Sequence, residues 1–352
     1  MKILTVIGTR PNFIKVAPLS RALRGQFEEI IVHTDQHYDA SMSQAFFDEL
    51  DLPKPKYHLD VGSKSHGLQT AKILEGVEPL LAREKPVAVL VYGDTNSTLG
   101  GALAAAKLQI PIIHVESGMR SYNKIPEEIN RVLTDHVSEL LFCSTKTAAE
   151  NLAREGITKN VHVVGDLMID SLVHFWKMAG DGILERLGLQ KKRYLLATMH
   201  RPENSDSRET LSSIFGALME SGEAILLPMH PRTLKSIRRF GLENKIRKSK
   251  IRIIGPVSYL NMITLQKNAR KIITDSGGLQ KEAYYFNVPC IYLRDVTEWP
   301  ETVGEGRNVL AGSDKGRILK AIRNFEVRGK NLKAYGNGNA SGKIARIMRR
   351  WK

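Results

Sequence analysis

Short apolar, β-branched runs recur along the chain at residues 3–7, 30–33, 87–91, 112–115, 140–143 and 161–164. A second series follows at 194–198, 224–228, 251–254, 271–274, 290–293 and 308–310. The runs are continuous rather than alternating, the pattern of strands covered on both faces. Most are separated by longer stretches with apolar positions at helical spacing, so strand and helix alternate. Right-handed βαβ crossovers then build one doubly wound parallel sheet from each series. The expected fold class is α/β, with two Rossmann-like domains facing across a cleft. Residues 166–190 read as helical and join the two series.

Ligands of open parallel sheets bind beyond the carboxyl ends of the strands, so the residues just after each run carry the candidate chemistry. The first run leads into Gly8-Thr9-Arg10-Pro11, with Lys15 further on. Glycine suits a tight turn, proline a first helical turn, and a helix N-terminus attracts anions. The plain alternative is a βα turn with a surface arginine. The third run ends at Gly93-Asp94-Thr95, and the fourth at His114-Val115-Glu116-Ser117. Glu127 and Glu128 follow Pro126 at a helix start, where acids also serve the helix dipole. Each acid taken singly has a structural reading, as N-cap or first-turn residue. Together, Asp94, Glu116 and Glu127 suit proton transfer, where burial and mutual repulsion tune acidity.

In the second series, residues 194–198 lead into Met199-His200-Arg201-Pro202-Glu203-Asn204, and the next run into His230-Pro231-Arg232. Imidazole and guanidinium at strand tips fit a diphosphate or acid–base work, whereas a lone histidine such as His230 is commonly structural. Thr274-Asp275-Ser276-Gly277-Gly278 forms a glycine turn at a helix start, a phosphate cradle with the Ser276 hydroxyl. Glu282 lies one turn further, placed to accept ribose hydroxyls.

Composition narrows the classes. The chain has 352 residues, 42% hydrophobic and 25% charged, enough for two domains with their own cores and unlike a disordered or disulfide-built chain. Cys143 and Cys290 show no zinc or redox spacing, and neither GxGxxG nor a Walker A loop occurs. No metal, nicotinamide or other cofactor is expected. The N-terminal run is too short for a signal peptide or membrane span, so a soluble, cytoplasmic protein is expected. Charge is uneven: residues 1–170 carry 18 Lys/Arg against 21 Asp/Glu, and residues 171–352 carry 34 against 16. A basic half suits an anionic ligand, but much of the excess lies at 235–252 and 315–352, which read as solvated helix faces and a tail. Nucleic-acid binding would need a stacking platform or a helix-turn-helix, and neither appears.

Taken in order, these segments, with Arg294 to Glu301, resemble the non-hydrolysing UDP-N-acetylglucosamine 2-epimerases over essentially the whole chain. The resemblance implies the two-domain GT-B architecture: an N-terminal domain at 1–168 with the catalytic carboxylates, a UDP-binding domain at 169–338, and a C-terminal helix at 339–352 returning to the first. It implies removal of the C2 proton with loss of UDP from C1, then re-addition of UDP with a proton delivered to the opposite face. Asp94, Glu116 and Glu127 become the catalytic carboxylates, with His200 beside the diphosphate. Arg10, Ser276, Gly277 and Gly278 would hold the diphosphate, Lys15 the sugar end or diphosphate, and Glu282 the ribose. The partner is a UDP-sugar, and a homodimer is implied. Three positions depart from the pattern: Asn12 and Lys281 stand where glutamates are usual, and Trp299, expected near the UDP-sugar, where arginine is common. Exchanging a cation for an indole removes an anion partner and adds a stacking face. Related 2-epimerases of modified UDP-sugars, such as UDP-2,3-diacetamido-glucuronate or UDP-N-acetyl-6-deoxyhexosamines, and hydrolysing enzymes that release N-acetylmannosamine, are therefore the alternatives.

Overall fold

A computed structural model describes residues 1–36, 50–328 and 333–351, and of Arg10 the backbone alone. The chain divides into two units: Met1–Ser171 with Ala334–Lys352, and Leu172–Lys333.

Unit 1 contains strands β1 (Lys2–Ile7), β2 (Glu28–His33), β3 (Tyr57–His58), β4 (Ala88–Tyr92), β5 (Ile112–Ser117), β6 (Leu140–Cys143) and β7 (Val161–Val163). They form one sheet in the order β3-β2-β1-β4-β5-β6-β7, each pair parallel. Helices α1 (Arg10–Leu23), α2 (His66–Glu84), α3 (Asn96–Lys107), α4 (Pro126–Val137) and α5 (Lys146–Arg154) return the chain between strands. The strands are apolar throughout because both faces are covered. Leu4, Val6, Val32, Val89 and Val91 on one face pack with Ile73, Val77, Ala102 and Ala105 of α2 and α3.

In α6 (Leu167–Trp176) the chain passes into unit 2. There β8 (Leu195–Thr198), β9 (Ile225–Pro228), β10 (Ile251–Ile254), β11 (Lys271–Thr274), β12 (Cys290–Tyr292) and β13 (Asn308–Leu310) form a second parallel sheet, ordered β10-β9-β8-β11-β12-β13. Its helices are α7 (Gly182–Leu187), α8 (Pro202–Ser205), α9 (Arg208–Glu220), α10 (Pro231–Arg239), α11 (Glu243–Arg247), α12 (Tyr259–Asn268), α13 (Gly277–Phe286), α14 (Pro300–Gly304) and α15 (Lys315–Asn324). The last helix, α16 (Ala340–Arg350), packs against α1 in unit 1.

Both sheets grow outward from their first strand and then reverse, between β1 and β4 in unit 1 and between β8 and β11 in unit 2. At such a reversal the flanking loops part beyond the carboxyl ends and leave a crevice.

Four details differ from the sequence expectation. Tyr57–His58 adds a strand too short to leave a hydrophobic period. The single helix expected over 166–190 is two, α6 and α7, separated by a stretch with Gly180. The units divide at 171/172 and 333/334 rather than at 168/169 and 338/339. Asp170 accepts the backbone N–H groups of Ala340 and Ser341, and Asp166 N donates to Tyr335 O, which ties both segments into unit 1. With α16 counted in unit 1, the charge asymmetry also shrinks: unit 1 carries 23 Lys/Arg against 21 Asp/Glu, and unit 2 29 against 16.

Candidate active site

In unit 1 the chain is packed tightly where β1 and β4 part. A Cβ on Gly8 would lie 2.0 Å from Ser97 Oγ and 2.2 Å from Thr34 Oγ1, so close approach, not a positive φ, requires glycine there. Asn12 stitches this turn to the neighbouring strand. Its Oδ1 accepts from Gly8 N, Thr9 N and Thr9 Oγ1, while its Nδ2 donates to Tyr92 O at 3.2 Å. A glutamate lacks that donor.

Gly93 follows β4 with φ +66°, and a Cβ there would meet Lys15 Nζ at 3.0 Å and Glu116 Oε1 at 3.8 Å. Three candidates therefore gather at this glycine: Lys15 from α1, Asp94 after β4 and Glu116 near the end of β5. Lys15 Nζ lies 2.7 Å from Glu116 Oε2, with side chains 8% and 10% exposed. Burial works to lower the Lys15 pKa, but the charges of Glu116, Asp94 and Asp166 outweigh it and hold the ammonium above its usual range. Glu116 reaches this position through backbone strain. Its φ is +70°, and the pairing of β5 with β6 slips between Val115 and Ser117. A left-handed non-glycine residue costs on the order of 1 kcal/mol and clusters where geometry serves function.

Asp94 pairs with Arg131 of α4, and its backbone carbonyl accepts from Asn130 Nδ2 at 2.9 Å. Arg131 also meets Glu128 at 3.1 Å, and Glu128 in turn accepts from Ser121 N and Tyr122 N. Glu128, Arg131 and Asp135 thus form the inward stripe of α4. Glu127, the adjacent acid named from sequence, is half-buried in the first turn. Among the described residues no hydrogen bond or ion pair joins it to Lys15, Asp94 or Glu116. Arg10 opens α1 at the same turn; its side chain lies outside the described residues.

Unit 2 repeats the placement with different chemistry. His200, after β8, is 40% exposed at its side chain, with Nδ1 3.2 Å from Asp275 Oδ1. Asp275, fully buried after β11, accepts from His200 N, Arg201 N and Asn204 Nδ2. His230 has the structural role open to it: it caps α10 by accepting from Arg232 N, with its ring 5.7 Å from that of His200. Ser276 caps α13, whose first turn is Gly277 and Gly278. Trp299 stands over that turn, its Nε1 3.4 Å from where a Gly277 Cβ would be. Beneath the indole lies the buried Lys281, with Nζ 3.6 Å from the ring centroid. Two departures from the family pattern therefore form one contact. Glu282 faces the other way, buried, accepting from Tyr259 Oη at 2.9 Å and Gln266 Nε2 at 2.6 Å.

Among the described residues, His33, Asp35 and His58 converge closely enough to ligate a metal, but they lie at the tips of β2 and β3 and pair as ordinary hydrogen-bond partners. No described helix is long and apolar enough to cross a membrane.

The sequence model of the UDP-N-acetylglucosamine 2-epimerase family matches residues 21–349. The chain belongs to that family. A UDP-N-acetylglucosamine 2-epimerase homolog of Methanococcus maripaludis is 52% identical, each chain covered over 99% of its length. The UDP-2,3-diacetamido-2,3-dideoxy-D-glucuronate 2-epimerase of Pseudomonas aeruginosa is 47% identical, again with 99% of each covered. The UDP-GlcNAc 2-epimerase of Methanocaldococcus jannaschii, solved with UDP-GlcNAc and UDP, superposes with a TM-score of 0.93 at 44% identity over 100% of both chains. As an epimerase of this family, the protein is an enzyme whose fold is two Rossmann-like α/β domains.

Residues that sequence reasoning did not single out include His114, Arg120, Arg131, Asp135 and Asp275. Two carried a signal: His114 interrupts an apolar strand, and Asp275 follows one directly, both costly places for polar groups without partners.

Proposed function

We propose that the enzyme interconverts UDP-N-acetylglucosamine and UDP-N-acetylmannosamine without net hydrolysis. A carboxylate takes the C2 proton as the C1–O bond to UDP breaks. The electron pair leaves with UDP, and a C1–C2 double bond forms in the resulting 2-acetamidoglucal. UDP then re-adds at C1 while a second acid delivers a proton to the opposite face of C2. The observation that carries this reading is the grouping of Asp94 and Glu116 around Gly93, each beside its own buried cation. Two-faced proton transfer needs two acid–base groups, and fixed cations take up the charge change as protons move. Glu127 serves as a further acid in this scheme. Arg10, Ser276, Gly277, Gly278, Trp299 and His200 bind the diphosphate and sugar, and Glu282 binds ribose.

A second reading has two observations in its favour. Trp299 over Lys281 departs from the pattern of the resemblance, and the Pseudomonas relative named for a diacetamido-glucuronate is as similar, at 47%, as relatives named for UDP-N-acetylglucosamine, at 45% and 46%. The test is NMR of UDP-N-acetylglucosamine with the enzyme in deuterated water. UDP-N-acetylmannosamine carrying deuterium at C2 is the expected product. Free N-acetylmannosamine with UDP would make the enzyme hydrolysing, and an untouched sugar would direct the same assay to the modified UDP-sugars.

A further inference from the structure

A fully buried histidine in unit 1 touches neither proposed proton-transfer acid. His114 of β5 has no exposed side-chain surface, and each ring nitrogen has one partner: Nδ1 lies 2.7 Å from Asp135 Oδ1, and Nε2 lies 2.8 Å from the carbonyl oxygen of Gly93. A carbonyl only accepts, so Nε2 carries a proton. Asp135 also accepts from Gly118 N at 3.0 Å and pairs with Arg120 at 2.7 Å. Burial alone would push the Asp135 carboxyl up, but His114 and Arg120 outweigh it and hold it below the usual carboxylate range. Asp135 thus links His114 to a chain of paired groups: Glu155, Arg120, Asp135, His114.

We infer that His114 is a positioning residue, and that its Nε2–H fixes the peptide between Gly93 and Asp94 so that Asp94 faces the reacting carbon. The inference rests on the proposed role of Asp94. Gly93 has a positive φ, an absent Cβ against Lys15, and the His114 Nε2–H holding its carbonyl. Were that carbonyl to turn, Asp94 and the approach to the Lys15–Glu116 pair would turn with it. A displacement of about 1 Å at such a group costs roughly a hundredfold in rate. The charged groups around the ring are Asp135 from α4, Arg120 after β5 and Glu155 at the end of α5. Cys143 of β6, near Ser117, has its thiol pushed up to about 12 by burial and stays neutral.

Two near-isosteric substitutions separate the two hydrogen bonds. In His114→Gln the amide nitrogen replaces Nε2 and keeps the donor to Gly93. In His114→Asn it replaces Nδ1 and keeps only the donor to Asp135. The expected result is that His114→Gln stays within about tenfold of wild-type kcat while His114→Asn falls about a hundredfold. KM for the UDP-sugar and the melting temperature should be similar in both. Equal losses tracking melting temperature, or a more active His114→Asn, would overturn the inference. Independently of turnover, ¹⁵N NMR of the wild-type enzyme should show a slowly exchanging Nε2–H proton that is absent from His114→Asn. Its absence from the wild type would also overturn the inference. Should the wild type turn over no UDP-sugar, the proposed function falls, and the ring spectrum alone then decides whether Nε2 donates to Gly93.

Discussion

The two units share a topology and differ in the partners of their carboxylates. Each sheet reverses after its first strand, and in each the polar residues lie just beyond the strands that flank the reversal. In unit 1 the carboxylates there are matched with buried cations: Glu116 with Lys15, Asp94 with Arg131, and Asp135 with Arg120. In unit 2 Asp275 accepts from backbone N–H groups and Asn204 beside His200, and Glu282 accepts from Tyr259 and Gln266, while Arg294 pairs with Glu203 and Glu298. Charge pairs around an acid accommodate a proton that comes and goes, whereas neutral donors hold a carboxylate in one state as a fixed acceptor for hydroxyls and amides.

The strongest way to break this contrast is at Asp94. Asp94→Asn should lower epimerisation about a thousandfold, within the usual range for a lost acid–base group. UDP affinity, measured calorimetrically, should change by less than about threefold. Turnover near wild type would remove Asp94 from the chemistry.

Lys15→Met comes next, because it leaves Glu116 buried beside no ammonium. Removing one member of a buried pair costs about 3–5 kcal/mol, read as a shift of the denaturant midpoint, and kcat should fall with it. The pH dependence has a definite sign. The Lys15 pKa is raised in the folded state, so its contribution is fully present below the unfolded value of 10.5 and is lost as pH rises through the folded value. Wild-type stability should therefore drop more steeply above pH 10.5 than that of Lys15→Met. Parallel curves would mean that the pair contributes nothing.

A smaller effect is expected in unit 2. Asp275→Asn puts an amide N–H against the donors of His200, Arg201 and Asn204, a mismatch worth about 1–3 kcal/mol. It should raise KM for the UDP-sugar more than it lowers kcat; a change in kcat alone would place Asp275 with the unit 1 acids. Smallest is Glu282→Gln, which keeps an acceptor for one partner and should weaken UDP binding by less than about tenfold with kcat intact. Unchanged UDP affinity would refute the ribose role.

The sequence by itself determined the doubly wound sheets, because strands buried on both faces must be continuously apolar and because chain handedness leaves one crossover direction. It also determined which loops matter, since residues 8–11, 93–95, 116–120 and 275–278 each follow an apolar run. It pointed to Asp94, Glu116, His200 and Ser276 for the same local reason. What only the tertiary structure decided was pairing. Lys15 joins Glu116 across 101 positions of chain, Asp94 joins Arg131 from a helix three elements later, and His114 receives Asp135. Of two adjacent acids at the start of α4, the inward stripe buries Glu128 and leaves Glu127 half-exposed, a choice set by helix rotation. The contact of Trp299 with Lys281 was equally hidden, since each residue alone reads as an isolated departure. Periodicity records whether a residue is buried; the charge it meets there depends on groups brought close only by folding, and Coulomb energy falls with distance in space, not along the chain.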